Sequence, residues 1–168
     1  VGSEMCIRDS NTAIEKGATG AIVEKGRAVE GIVCIEVENT LVAYQNLARY
    51  HRRRFDIPVV AITGSSGKTT TKEMVAAVLG TEFNVLKTEK NFNNEIGLPK
   101  TLLRLTAEHQ ACVVEMGMRG LGQIEELALI AEPTMGIITN VGTSHIELLG
   151  SREAIAQAKG ELIRCLPE

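Results

Sequence analysis

The sequence predicts an α/β fold: a P-loop-type, mostly parallel sheet with helices on both faces, preceded by part of a smaller α/β unit. Three observations lead there. From residue 57 onward, apolar strand-like runs alternate with helix-like segments. Those runs are nearly continuous in β-branched and aliphatic residues, as strands buried on both faces must be. A glycine-rich stretch, "TGSSGKTTT", lies where one such strand hands over to a helix.

The first ten residues, "VGSEMCIRDS", carry no period and join nothing that follows. They read as a scar or sequence artefact and are set aside. "NTAIEKGA" (11–18) then reads as a short helix end closed by Gly17, and "GAIVE" and "IVCIEV" as strands. Thr40 to Arg54 reads as a helix with Leu41, Tyr44, Leu47 and Ala48 on one face. Its tail, "RYHRRRF", is strongly basic. That suits a solvated helix end, whose cations complement the C-terminal dipole. A contact with phosphate or a nucleotide-sugar is the other reading. Pro58 opens the next β-branched run, which puts a domain boundary near Asp56. The expected organisation is residues 11–56 and residues 57–168.

Within the second part, "VVAIT" is a strand and Lys68 to Leu79 a helix. "FNVLK" is a strand, and "IGLPKTLLRL" contains a helix. "ACVVEMG" and "MGIITNVG" are strands on either side of a helix, "GQIEELALIA". Ser151 to Leu166 is the last helix.

Composition narrows the function. The 168 residues are 44% hydrophobic with a formal net charge of -3, so nothing global attracts nucleic acid. Aromatics are 3% with no Trp, which disfavours a base-stacking surface. The four cysteines (Cys6, Cys34, Cys112, Cys165) form no C-x-x-C and no metal spacing. Cys34 and Cys112 sit in strand-like runs and read as buried free thiols of a reducing cytosol. No apolar run is long enough for a membrane span, and no signal peptide is visible.

The loop departs from the common phosphate-loop pattern G-x-x-x-x-G-K-[ST]. Counting back from Gly67 lands on Ile62, so the form here is the shorter Gly64-Ser65-Ser66-Gly67-Lys68-Thr69. Its chemistry is nonetheless suitable. Gly64 and Gly67 let backbone N–H groups converge on an anion. The following helix adds its N-terminal dipole end. Lys68 is a mobile point charge for the β- and γ-phosphates, and the Thr69 hydroxyl suits Mg²⁺. A chance glycine-rich turn with a lysine is the plain alternative, and the strand–loop–helix context speaks against it.

Three further groups fall near strand ends or on a helix face. Glu115 ends "ACVVEMG" as a hard oxygen donor, and ligands of open α/β sheets gather at the carboxyl ends of strands. His145 follows "IITNVGTS"; by itself a lone His reads more often as a structural hydrogen-bonder than as a metal ligand. Lys159 shares a face with Ile155, Leu162 and Leu166. It has three readings: a snorkelling ammonium, a salt bridge, or a desolvated neutral amine. A neutral amine can add CO₂ and become a carbamate, turning a cation into a carboxylate-like Mg²⁺ ligand.

Together "TGSSGKTTTKEM", "NFNNEIGLPKTLL", "VVEMGMRGLGQIEEL", "TNVGTSHIELLGS" and "AKGEL" resemble the Mur ligases of peptidoglycan synthesis. The likeness covers residues 11–168 and is strongest to the type that adds D-Ala-D-Ala to UDP-MurNAc-tripeptide. It implies a central ATP-binding domain over 57–168, present in part. Before it, 11–56 would be the second half of a UDP-sugar-binding domain. The C-terminal domain would be absent, which leaves an expectation of an inactive fragment. The implied reaction is ATP-driven amide formation through an acyl phosphate. The implied cofactors are ATP and two Mg²⁺ ions. By the same resemblance Gly64, Ser65, Ser66, Gly67, Lys68, Thr69 and Thr70 bind nucleotide. Thr69 and Glu115 match one Mg²⁺ site, and Glu115, His145 and carbamylated Lys159 the second. Lys68, His145 and Lys159 carry the catalytic roles. Asn93 and Asn94 line the substrate site. A bacterial cytoplasmic location follows, with a monomer at full length. Another ligase of the fold, such as a folylpolyglutamate synthase, is the alternative.

Overall fold

The structure is a computed structural model that describes residues 12–144 and 146–167. Two compact units divide at Tyr44 and Gln45.

In the first unit, residues 12–15 are helical and Gly17 closes them with φ 92°, a left-handed conformation glycine adopts freely. Strands β1 (Gly20–Glu24) and β2 (Val33–Val37) pair in parallel, Gly20 against Val33 through Glu24 against Val37. Few of their side chains are buried, and Val33 and Ile35 are exposed. Cys34 is therefore half-buried rather than buried as expected; a two-stranded sheet has too little cover to exclude water.

Helix α1 (Thr40–Arg52) crosses from the first unit to the second. Its buried residues are Gln45, Ala48 and Arg52, while Leu41 and Leu47 are exposed, so the expected apolar face is corrected. The cause is the basic tail. Arg52 is buried and donates to four carbonyl oxygens: Ala131 (3.0 Å), Phe55 (2.7 Å), Ile57 (3.3 Å) and Glu132 (3.3 Å). Arg49 and Arg53 both bind the Glu132 carboxylate, and Arg53 first, then Arg49, hold that carboxyl below its usual range. His51 bonds the Leu105 carbonyl oxygen at 2.9 Å. The solvated-end reading holds for Arg53, which is exposed, but not for the buried Arg52. The four side chains tie the helix end to the second unit's own loops.

The central sheet has the order β4-β5-β3-β6, all parallel: β3 (Val59–Thr63), β4 (Val85–Lys87), β5 (Ala111–Glu115) and β6 (Met135–Ile138). Every residue of β3 and β5 is buried, as the continuous apolar runs require. Alternate side chains serve opposite faces. Val60, Ile62 and Val113 pack on the side of helix α2 (Lys68–Leu79), with Ala76, Val75 and Leu79. Val59, Ala61, Cys112 and Val114 face the larger core. That core is supplied by α3 (Gly97–Leu102), α4 (Gln123–Ala131) and α6 (Arg152–Arg164), through Leu98, Leu102, Ile124, Leu127, Ile155 and Leu162. Burial pushes the Cys112 thiol up to about 12, so it is inert packing. Helix α5 (Ile146–Leu149) is a single turn, and Ser151 caps α6 by accepting the Ala154 N–H at 3.1 Å. Among the described residues no helix is long and apolar enough to cross a membrane.

Candidate functional site

The parallel order brings the carboxyl ends of β3, β4, β5 and β6 to one edge of the sheet. The glycine-rich loop leaves β3 at that edge. Gly64 has φ 150°, and a Cβ there would meet the Thr139 Oγ1 at 1.9 Å. Gly67 is left-handed with φ 77° and precedes α2 with no side chain capping the helix. The first-turn N–H groups of α2 are thus left for an external acceptor. Lys68 donates its ammonium to the Gly64 carbonyl oxygen at 2.8 Å, folding back over the loop. Thr70 stands exposed in the same first turn.

A second segment, residues 139–144 after β6, braces the loop. Asn140 Oδ1 accepts the Ser66 N–H (3.1 Å), and its Nδ2 donates to the Ser66 carbonyl oxygen (3.2 Å) and to Ser66 Oγ (3.0 Å). Thr139 Oγ1 donates to the Ser66 carbonyl oxygen at 2.6 Å. The Gly142 N–H donates to Ser65 Oγ at 2.9 Å, and Ser144 Oγ to the Ser65 carbonyl oxygen at 3.2 Å. Sequence reasoning gave no role to Thr139, Asn140, Gly142 or Ser144. The signal available was a polar run directly after an apolar strand.

Glu115 ends β5 with 3% exposure, on the sheet face that α2 covers. Two neutral donors hold its carboxylate. The Thr69 hydroxyl reaches Oε2 at 2.9 Å, and Asn93 Nδ2 reaches Oε1 at 2.8 Å. No cation pairs with it among the ion pairs of the described residues. A carboxylate buried beside a hydroxyl and held by an amide N–H, with no counter-charge among the described residues, offers with the Thr69 hydroxyl the hard oxygen atoms that fit a divalent cation. Asn94 turns to its own chain: its Oδ1 accepts the Gly97 N–H at 2.9 Å at the start of α3.

Lys159 is 1% exposed on the buried face of α6, between Ile155 and Leu162. Burial first, and then the charge of Lys68, lower its pKa to about 8. Its 1% exposure argues against a snorkelling ammonium. Of the described residues none forms a salt bridge with Lys159, and the ammonium is desolvated beside another cation. Its neighbour Glu161, also buried, accepts the N–H groups of Gly122 (2.7 Å) and Glu125 (3.1 Å) at the start of α4. His145, expected as a metal ligand, lies outside the described residues. No cluster of three His, Cys, Asp or Glu side chains forms among those described.

The glycine-rich loop and Glu115 therefore meet at one sheet edge, and the charge of Lys68 acts on Lys159. Residues 62–168 match the sequence model of the Mur ligase middle domain. The chain belongs to the Mur ligase family. A Synechocystis sp. UDP-N-acetylmuramoyl-tripeptide--D-alanyl-D-alanine ligase is 55% identical over 159 residues, covering 92% of this chain and 35% of that protein. The crystal structure of the Mur ligase MurF from Acinetobacter baumannii superposes with a TM-score of 0.90 at 36% identity, over 96% of this chain and 36% of that one. MurF from Thermotoga maritima in complex with ADP gives 0.87 at 36% identity, over 96% and 38%. This Mur ligase chain thus spans a little over a third of the length of such relatives, and the family resemblance read from its motifs is borne out.

Proposed function

We propose that this chain is the nucleotide-phosphate-binding part of an ATP-dependent ligase that joins D-Ala-D-Ala to UDP-MurNAc-tripeptide. The observation that carries the reading is the braced loop: an uncapped helix N-terminus and Lys68 beside Thr69 and Glu115. The relatives named above, including one bound to ADP, support the choice of nucleotide and acceptor.

In the reaction, the tripeptide's terminal carboxylate takes the γ-phosphoryl group of ATP, releasing ADP. The dipeptide amine then attacks the acyl carbon, loses a proton, and displaces phosphate. Two anions must meet in the first step, so positive charge between them lowers the barrier. The loop N–H groups and the α2 dipole bind the phosphates. Lys68 leaves the Gly64 carbonyl oxygen for the β- and γ-phosphates. Thr69 and Glu115 would hold one Mg²⁺; Glu115, His145 and Lys159, as its carbamate, would hold a second. Bound Mg²⁺ would neutralise phosphate charge and orient the transferring group. Lys159 is suited to carbamylation because only a neutral amine attacks CO₂, and its pKa is lowered to about 8. Asn93 and Asn94 would line the acceptor side. The full-length enzyme would be a cytoplasmic monomer.

Calorimetric titration of Mg-ATP into the chain tests this, with Lys68→Ala as control. Losing one charge-assisted contact should weaken binding roughly 10- to 100-fold. An unchanged affinity in Lys68→Ala would sink the reading of the loop.

A further inference from the structure

Lys72 is 1% exposed, one helical turn beyond Thr69 on α2. The mechanism above does not use it. A lysine this deep in a fold is uncommon without a task for its charge. Its ammonium donates to the Thr88 carbonyl oxygen at 2.8 Å and lies 3.0 Å from Glu73 Oε1. Glu73 in turn binds Lys87, the last residue of β4, and Lys87 and then Lys72 hold its carboxyl below the usual range. Thr88 is fully buried. Its N–H donates to the Val113 carbonyl oxygen, and its Oγ1 accepts the Glu115 N–H, both at 3.0 Å. A continuous path therefore runs from the helix that carries Lys68 and Thr69, through Lys72 and Thr88, to the backbone of Glu115.

We propose that Lys72 and Thr88 are positioning residues that fix where Glu115 presents its carboxylate to the Mg²⁺ accompanying the nucleotide. The proposal rests on the reading of Glu115 as a metal ligand. α2 supplies the phosphate contacts and β5 the carboxylate. These belong to different elements, and the tolerance for their separation is small. Thr69 joins them at the side chain, and Lys72 joins them a turn lower through Thr88. Partners one shell out from a metal ligand typically set metal affinity by about 10-fold or more.

The test is titration of ADP into the folded chain with and without Mg²⁺, in wild type, Lys72→Met, Thr88→Val and Glu115→Gln. Wild type should bind ADP more tightly with Mg²⁺. Lys72→Met and Thr88→Val should lose most of that gain, about 10-fold. Thr88→Val should leave Mg²⁺-free affinity unchanged. Simple loss of the Lys72 charge would instead weaken binding equally in both conditions. Thr88→Val changes no charge and little volume, so it carries the test if Lys72→Met does not fold. Amide exchange at Glu115 should also quicken in Thr88→Val. If both variants keep the wild-type gain while Glu115→Gln loses it, the positioning role is overturned alone. If Glu115→Gln keeps the gain, or wild type has none, the metal reading fails and this inference with it.

Discussion

The Thr69 hydroxyl donates to Glu115 Oε2 at 2.9 Å, so the first turn of α2 and the last residue of β5 meet in one hydrogen bond. Forty-six positions separate the two in the chain. The helix that follows the glycine-rich loop and a strand that ends in a carboxylate are thereby held at a common point.

The Glu115 carboxylate is buried against a hydroxyl and an amide N–H, and no cation of the described residues pairs with it. Gln at this position can still accept from Asn93 and meet the Thr69 hydroxyl. Glu115→Gln should therefore change folding stability by no more than ~1 kcal/mol in urea denaturation. The same variant should lose the Mg²⁺-linked part of nucleotide binding. A large loss of stability would mean the carboxylate serves the fold.

The two loop glycines should respond differently to alanine. At Gly64 a Cβ would collide with Thr139 Oγ1 at 1.9 Å, pushing apart the loop and its brace. At Gly67 a Cβ meets nothing within 4 Å, and only the left-handed φ of 77° opposes it. Gly67→Ala should cost about 1 kcal/mol, and Gly64→Ala about 2–3 kcal/mol. Thermal melts of both variants decide the order.

Lys159 gives a pH dependence with a definite sign. Its folded pKa of about 8 lies below the ordinary 10.5. Between those values the unfolded chain holds a proton that the folded chain has shed. Stability from this group therefore rises with pH across that window, and the penalty is fully present below about 8. Relative to Lys159→Met, wild type should gain stability as the pH is raised through the window.

The same amine is about half neutral at pH 8. With ¹³C-labelled bicarbonate, wild type should give a carbamate carbon signal that Lys159→Met lacks. Because the Lys68 charge is the second cause of the shift, Lys68→Met should move the onset of that signal to higher pH. An onset unmoved by Lys68→Met would show that the two ammonium groups do not interact.

Arg52 is a structural cation. Its four carbonyl acceptors, on residues 55, 57, 131 and 132, would lose this donor in Arg52→Met, the Ala131 oxygen in a buried setting and the other three in part-buried ones. The expected loss is about 3 kcal/mol, read as a lower urea midpoint at unchanged slope.

The sequence by itself determined the alternation of strands and helices, the bounds of α2 at Lys68 and Leu79, and the glycine-rich loop at the β3–α2 junction. These are local properties. Short, β-branched apolar runs bounded by turn residues favour strands buried on both faces, and Gly64 and Gly67 mark conformations that side chains resist. The motifs in "NFNNEIG" and "EMG" likewise carried the family. What only the tertiary structure decided depends on distant partners. The basic end of α1 looked solvated because no acidic residue nearby in the chain pairs with its arginines; Ala131 and Glu132 accept from them across the fold. Lys159 shared a face with apolar residues in the sequence, but its burial and the nearby Lys68 charge belong to the tertiary structure. Asn140 could not be assigned to Ser66, nor Lys72 to Thr88, until parallel pairing brought the ends of β3, β4, β5 and β6 to one edge. Strand order is set by which helices cover which face, a global packing property that no local pattern encodes.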